Sequence, residues 1–364
     1  MQMLAPPETI ADVRSFVDEL FAGAMRGRAS DIHVEPGQEA YEIRLRIDGV
    51  LETGQRTQVE TGRAVVTRLM VMANLLTYRL DVPQEGRISL ANAELRLAVM
   101  PTIHGMRAAI RMPADHVQPA VLQDLGLPAN VLGGLVNFAA GECGMLILTG
   151  PAGSGKTTTM YALLRHIAGT NPGLSIIALE DPVERDIPGV TQIEVSPFGQ
   201  LTYEKALRSI LRQDPQVLML GEVRDAATAS LAVQAALSGH RLITALHAAT
   251  PAGAIARLLE MNIEPYQLTS SIHSIVSQRL IRRKGNSPGQ YSGRVPVAEF
   301  VYMDQELRSA VLARCDADRL AHAYQGQSTW QAMRDVAQSL VVQGITDESE
   351  FRRTFASAAI SREA

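Results

Sequence analysis

Eight consecutive residues constrain this chain more than any others: Gly150, Pro151, Ala152, Gly153, Ser154, Gly155, Lys156 and Thr157, with Thr158 behind them. They fit the pattern G-x-x-x-x-G-K-[ST]. The apolar run 145–148 precedes them and a helical pattern begins near Lys156. Glycines at this spacing let the backbone turn its N–H groups inward, and a helix start adds positive potential, so the segment suits phosphate oxygens. Lys156 would neutralise the β- and γ-phosphates, and the Thr157 hydroxyl would ligate Mg2+. The plainer alternative is a glycine-rich turn that only joins a strand to a helix. Strand, helix and the Lys-Thr pair together favour a nucleotide.

Beyond Asn130, helical stretches alternate with short apolar runs at 145–148, 175–179, 217–220 and 241–246. Such runs, separated by helices, predict a parallel sheet buried on both faces. Ligands of open parallel sheets gather at the carboxyl ends of strands. The second run leads into Glu180, Asp181, Pro182, Val183 and Glu184, and the third into Gly221, Glu222, Val223, Arg224 and Asp225. Glu180 and Glu222 are therefore expected to face the γ-phosphate, while Asp181 or Asp225 suits a helix N-cap. The fourth run is bracketed by His240 and His247. Either imidazole could meet a phosphate, although a hydrogen-bonded structural histidine is the commoner case.

The first third of the chain reads differently. Ile10, Val13, Phe16, Val17, Leu20, Phe21 and Ala24 recur at helical spacing. Alternating segments 31–35 and 41–47, joined by Pro36-Gly37, predict a hairpin closing at Asp48-Gly49. A helix over 61–75 and strands at 87–90, 94–100 and 108–112 complete an α+β unit. Residues 113–121 carry two prolines and no periodicity, which marks a linker. The predicted division is an α+β domain over 1–112, the linker 113–121, a P-loop core over 122–292 and a helical region over 293–364.

The length of 364 residues allows about two domains. Lys+Arg 34 against Asp+Glu 38 leaves a net charge of −4, which argues against binding driven by neutralising a phosphate backbone. Cys143 and Cys315 are too far apart for a CxxC site. No apolar run approaches the roughly 18 residues of a membrane-spanning helix, and the N-terminus lacks a signal-peptide pattern. A cytoplasmic protein is expected, peripheral to a membrane only through partners.

These segments, in this order, resemble the secretion ATPases of type II secretion and type IV pili. In the first domain the resemblance rests on 30–36 (SDIHVEP), 44–51 (RLRIDGVL), 84–87 (QEGR), Arg96 and Pro101-Thr102. In the second it rests on the phosphate loop, an aspartate box at 180–184, the segment 206–215 (ALRSILRQDP), a Walker B-like segment at 218–225 and a histidine box at 239–247. Gln278-Arg279-Leu280 and Gly293-Arg294 close it.

The resemblance implies an N-terminal α+β (PAS-like) domain, then a RecA-like P-loop ATPase domain with a C-terminal helical region. It implies ATP bound through residues 150–158 with Mg2+, Thr157 and Glu222 holding the metal and its water, and Glu180 as general base. It further implies His247 at the site and Arg87, Arg96, Arg208 and Arg212 closing on the γ-phosphate. Arg208 and Arg212, four apart, are expected on one helical face. The family works as a ring of six on the cytoplasmic face of the inner membrane, with ATP between its two domains. Its expected partners are a membrane platform protein and a cytoplasmic adaptor, with no direct nucleic acid. No cysteine occurs in 278–294, so no zinc is expected. The RLRIDGVL and QDP segments resemble assembly members more than retraction members. A pilus-retraction motor and a nucleic-acid-linked conjugation or competence ATPase are the alternatives.

Overall fold

The protein is described by a computed structural model covering residues 13–90, 93–112, 121–141, 143–195, 201–287 and 289–355. The chain forms two units, Met1–His116 and Val117–Ala364. Residues 113–120 of the expected linker, and the start of the expected first helix, lie outside the described residues.

In the first unit α1 (Val13–Arg26) buries Val13, Phe16, Val17, Leu20, Phe21 and Ala24, the stripe its spacing predicts. Strands β1 (Ala29–Pro36), β2 (Tyr41–Ile47), β3 (Val50–Leu51), β4 (Gln55–Thr57), β5 (Gln84–Leu90), β6 (Ala93–Thr102) and β7 (Gly105–Arg111) surround α2 (Val59–Met72) in sequence. The sheet runs β3-β2-β1-β7-β6-β5, with β4 beside β2. Ile47 pairs with Val50 across Asp48 and Gly49, whose φ values of 48° and 83° are both left-handed. A two-residue hairpin turn needs this, which is why Asp-Gly stands there. Ile32, Val34, Ile43, Leu45, Leu95, Leu97 and Ile110 form a core with both helices. On the polar face, register lines up Arg46, Asp31, Arg111, Arg96 and Arg87 across five strands. Arg46 and Arg111 reach Asp31 at 3.4 and 3.6 Å, and Arg87 pairs with Glu94 at 2.8 Å.

The second unit is a doubly covered α/β sheet. Its elements are α3 (Ala129–Ala139), β8 (Gly144–Thr149), α4 (Lys156–Thr170), β9 (Ile176–Glu180), β10 (Thr191–Glu194), α5 (Tyr203–Ile210), β11 (Val217–Leu220), α6 (Ala226–Leu237), β12 (Arg241–Leu246), α7 (Pro251–Glu260), α8 (Pro265–Ser271), β13 (Ile272–Lys284), β14 (Tyr291–Tyr302) and helices α9 (Gln305–Leu312), α10 (Ala317–Gln325), α11 (Met333–Val342) and α12 (Glu348–Phe355). Strand order is β10-β9-β11-β12-β8-β13-β14, parallel except for the β13–β14 pair. Every residue of β8, β9 and β11 is buried, as a covered parallel sheet requires.

One expectation needs correcting. Residues 293–302 were expected to open the helical region, yet they belong to β14, so the 292/293 boundary falls inside a strand. Val295, Val297, Phe300 and Val301 carry the β-branched and aromatic bias of a strand. Pro296 is accommodated because β14 is the last strand of the sheet.

The last helix is fastened to β13 by charge. Glu350 on α12 is fully buried and accepts from Arg282 N at 3.0 Å and Arg282 Nε at 2.9 Å, and from Arg353 Nη2 at 2.6 Å. Burial alone would raise its pKa, but Arg353 and Arg282 outweigh it and hold the carboxyl at about 2. A carboxyl with a depressed folded pKa stabilises fully above its ordinary value near 4.5 and loses that contribution as pH falls toward about 2. Glu350→Gln is expected to loosen α12 by about 3 kcal/mol at pH 7, or about a hundredfold in local amide exchange, with the two proteins converging only as pH falls to about 2. Equal exchange over 348–355 at pH 7 would contradict the anchor.

Candidate nucleotide site

Spatial order along the sheet decides what meets what. Because β9, β11, β12, β8 and β13 run parallel side by side, their carboxyl ends open on one edge. Along that edge come Glu180 as the last residue of β9, Glu222 just past β11, His247 just past β12, and the phosphate loop past β8. The loop turns through Gly150, Gly153 and Gly155 at φ 148°, 73° and 89°. Gly155 is the N-cap of α4, so Lys156 opens the helix.

Lys156 Nζ donates to Gly150 O at 2.7 Å and to Pro151 O at 2.9 Å. Burial lowers its pKa, and the charge of Glu222 partly opposes that. Glu222 lies 2.8 Å from His247 Nε2 and accepts from Arg224 Nε. Burial would raise its pKa, but Arg224 and His247 hold it below the ordinary range. Arg224 Nη1 also reaches Asp181 at 3.3 Å, tying the ends of β9 and β11. Asp225 caps α6, accepting from Thr228 N at 2.8 Å.

The loop fits a triphosphate. It offers glycine-lined backbone and a buried ammonium whose hydrogen bonds are to loop carbonyls. Ser154 Oγ is buried with no hydrogen-bond partner among the described residues. The Thr157 hydroxyl and an ionised Glu222 are hard oxygen donors of the kind Mg2+ takes. Among the described residues no group of three or more His, Cys, Asp or Glu could hold a metal ion. No described helix is long and apolar enough to cross a membrane.

Several expected site residues stand elsewhere. Glu180 is 4% exposed and both its oxygens are engaged, one by the Tyr161 hydroxyl and one by Gln192 Nε2 at 2.9 Å. Burial raises its pKa, opposed by those two bonds. The reason is strand alternation: Ile176 and Ala178 pack with Tyr161 of α4, and Glu180 shares their face. The expected exposure of Glu180 to the γ-phosphate is therefore not what the strand delivers.

His240 precedes β12, at the end of the strand opposite His247, and its Nδ1 lies 2.9 Å from Ala235 O at the close of α6. It is the structural histidine. Arg208 lies on α5 and pairs with Glu204 at 2.9 Å. Arg212 does not share its helical face, because α5 ends at Ile210 and the chain leaves it through a turn at 211–212. Asp214 takes a left-handed φ of 51° before Pro215, and a residue preceding proline avoids the helical region. Arg87 and Arg96 are exposed neighbours on the polar face of the first unit's sheet.

Gln278, Tyr161 and Arg224 carry site geometry that no motif assigned to them. Gln278 was visible only as part of a family segment. Tyr161 sits at helical spacing after Lys156, indistinguishable from core.

Residues 8–353 match the family model described as Type II/IV secretion system protein. The chain is 36% identical to type II secretion system protein HxcR of Pseudomonas aeruginosa, covering 93% of this chain and 74% of that protein. It is 32% identical to the type IV pilus assembly ATPase PilB of Thermus thermophilus, over 93% of this chain and 42% of that protein. Its fold is similar to that of the Legionella pneumophila ATPase DotB, with a TM-score of 0.70 at 22% identity over 98% of this chain and 97% of that one.

Proposed function

The chain belongs to the type II/IV secretion system protein family, and on that premise we propose that it is an ATP-hydrolysing motor for type IV pilus or pseudopilus assembly or for type II protein secretion. The observation that carries this is the gathering of the Lys156 loop past β8, the Glu222–His247 pair past β11 and β12, and their shared edge of the parallel sheet. A cation for phosphate and an anion for metal at one edge of a parallel sheet are the minimum for phosphoryl transfer to water.

In this reading Lys156 grips the β- and γ-phosphates, and Thr157 with Glu222 holds Mg2+. The metal supplies charge neutralisation on the phosphate oxygens when bound. His247 and Arg224 keep Glu222 ionised and aimed. Glu222 is also the acid left to activate an attacking water, because Glu180 is committed to Tyr161 and Gln192. Glu180 then acts by positioning α4 behind the loop. Arg87, Arg96, Arg208 and Arg212 are assigned to the terminal phosphate in the assembled motor. That motor is a ring of six at the cytoplasmic face of the inner membrane, working on a membrane platform protein.

Purified protein is expected to hydrolyse ATP only with Mg2+ present and to reach the mass of six copies with a nonhydrolysable ATP analogue. Failure to bind or hydrolyse ATP would sink the reading. Turnover raised manyfold by single- or double-stranded DNA would replace it with the nucleic-acid-linked motor.

A further inference from the structure

On the far side of the phosphate loop from His247 stands β13, in parallel register with β8 through Ser277 and Thr149. The next residue, Gln278, is 2% exposed. Its side-chain amide uses both ends. Nε2 donates to Ser154 O at 2.8 Å, and Oε1 accepts from the Thr159 hydroxyl at 2.9 Å. Its backbone carbonyl lies so close under Gly150 that a Cβ there would collide with it, and a Cβ at Gly155 would come within 2.8 Å of Nε2. One residue thus touches the start of the loop, its last turn and the first turn of α4.

We propose that Gln278 is a positioning residue for nucleotide binding: it fixes the path of residues 150–155 so that their backbone N–H groups are already aimed when phosphate arrives. The proposal rests on the nucleotide reading of the loop. A loop of three left-handed glycines has many other paths open to it, and holding one of them in advance spares that ordering cost at binding. Strand β13 is a firm support. Beyond Gln278, Arg279 Nη1 donates to Thr354 O at 2.7 Å and Arg282 to Glu350, so the clamp is fastened to α12. The loop acts on the diphosphate portion shared by ADP and ATP, so loss of the clamp should weaken both alike.

The test measures binding of fluorescent ADP and ATP analogues with Mg2+ to the full chain, alongside steady-state ATPase. Gln278→Met keeps length and volume but removes both hydrogen bonds. It is expected to raise Kd for both analogues, and KM, by about tenfold, the scale of one lost buried hydrogen bond. At saturation kcat should stay within about threefold of the parent, because Gln278 touches no reacting atom. Gln278→Glu keeps the acceptor for Thr159 but sets a carboxylate against the Ser154 carbonyl, and should weaken binding further than Gln278→Met. If Gln278→Met does not fold, Thr159→Val removes the other end of the clamp and should raise Kd several-fold. Variants with parental Kd and KM, and a kcat lowered only in proportion to the folded fraction, would overturn the proposal and leave Gln278 a core residue. A parent protein that binds neither analogue would instead overturn the nucleotide reading itself.

Discussion

Lys156→Ala abolishes measurable ATP turnover and leaves the protein folded: that is the first expected result. The ammonium donates to two carbonyls of its own loop, Gly150 O and Pro151 O. Those contacts keep a cation in a site whose burial already disfavours charge, with Glu222 opposing that effect. When phosphate oxygens take over from the carbonyls, the charge is worth far more than in water because the surroundings are poorly solvated. Removing one such group costs about a hundred- to a thousandfold in turnover in comparable sites. The fold should survive, since both acceptors belong to the loop itself and Pro151 is exposed, so water can replace the ammonium there. A melting temperature within a few degrees of the parent is expected. Turnover within tenfold of the parent would remove Lys156 from the mechanism.

Glu222→Gln should separate binding from hydrolysis. The substitution keeps shape and one acceptor oxygen but removes the charge that His247 and Arg224 hold in place. Nucleotide affinity should change by no more than a few-fold, because Lys156 and the loop backbone remain. Hydrolysis should fall by about two to four orders of magnitude, the range for losing a general base or metal-positioning carboxylate. Glu180→Gln gives the contrast. Its carboxylate is tied to Tyr161 and Gln192, so its loss should lower melting temperature as well as rate. If Glu180→Gln stops hydrolysis without destabilisation while Glu222→Gln turns over normally, the two acids exchange roles.

The sequence by itself determined the left-handed glycine turns of the loop, the parallel sheet and the α+β unit before it. Those features rest on local periodicity and on residue types with one physical use, such as glycines that must turn left-handed before a lysine. The hairpin at Asp48-Gly49 was legible for the same reason. Helix and strand limits in the first third agree to within a few residues because alternation there is clean.

What required tertiary structure was everything set by neighbours distant in the chain. Strand alternation against α4, not proximity to a motif, turned Glu180 toward Tyr161. The end of α5 before Asp214 and Pro215 separated Arg212 from Arg208. Sheet order put β13 beside β8, and with it Gln278 against Ser154, 124 residues away in sequence. A local pattern states which face a residue occupies. Only the packed sheet states what lies on the other side of that face.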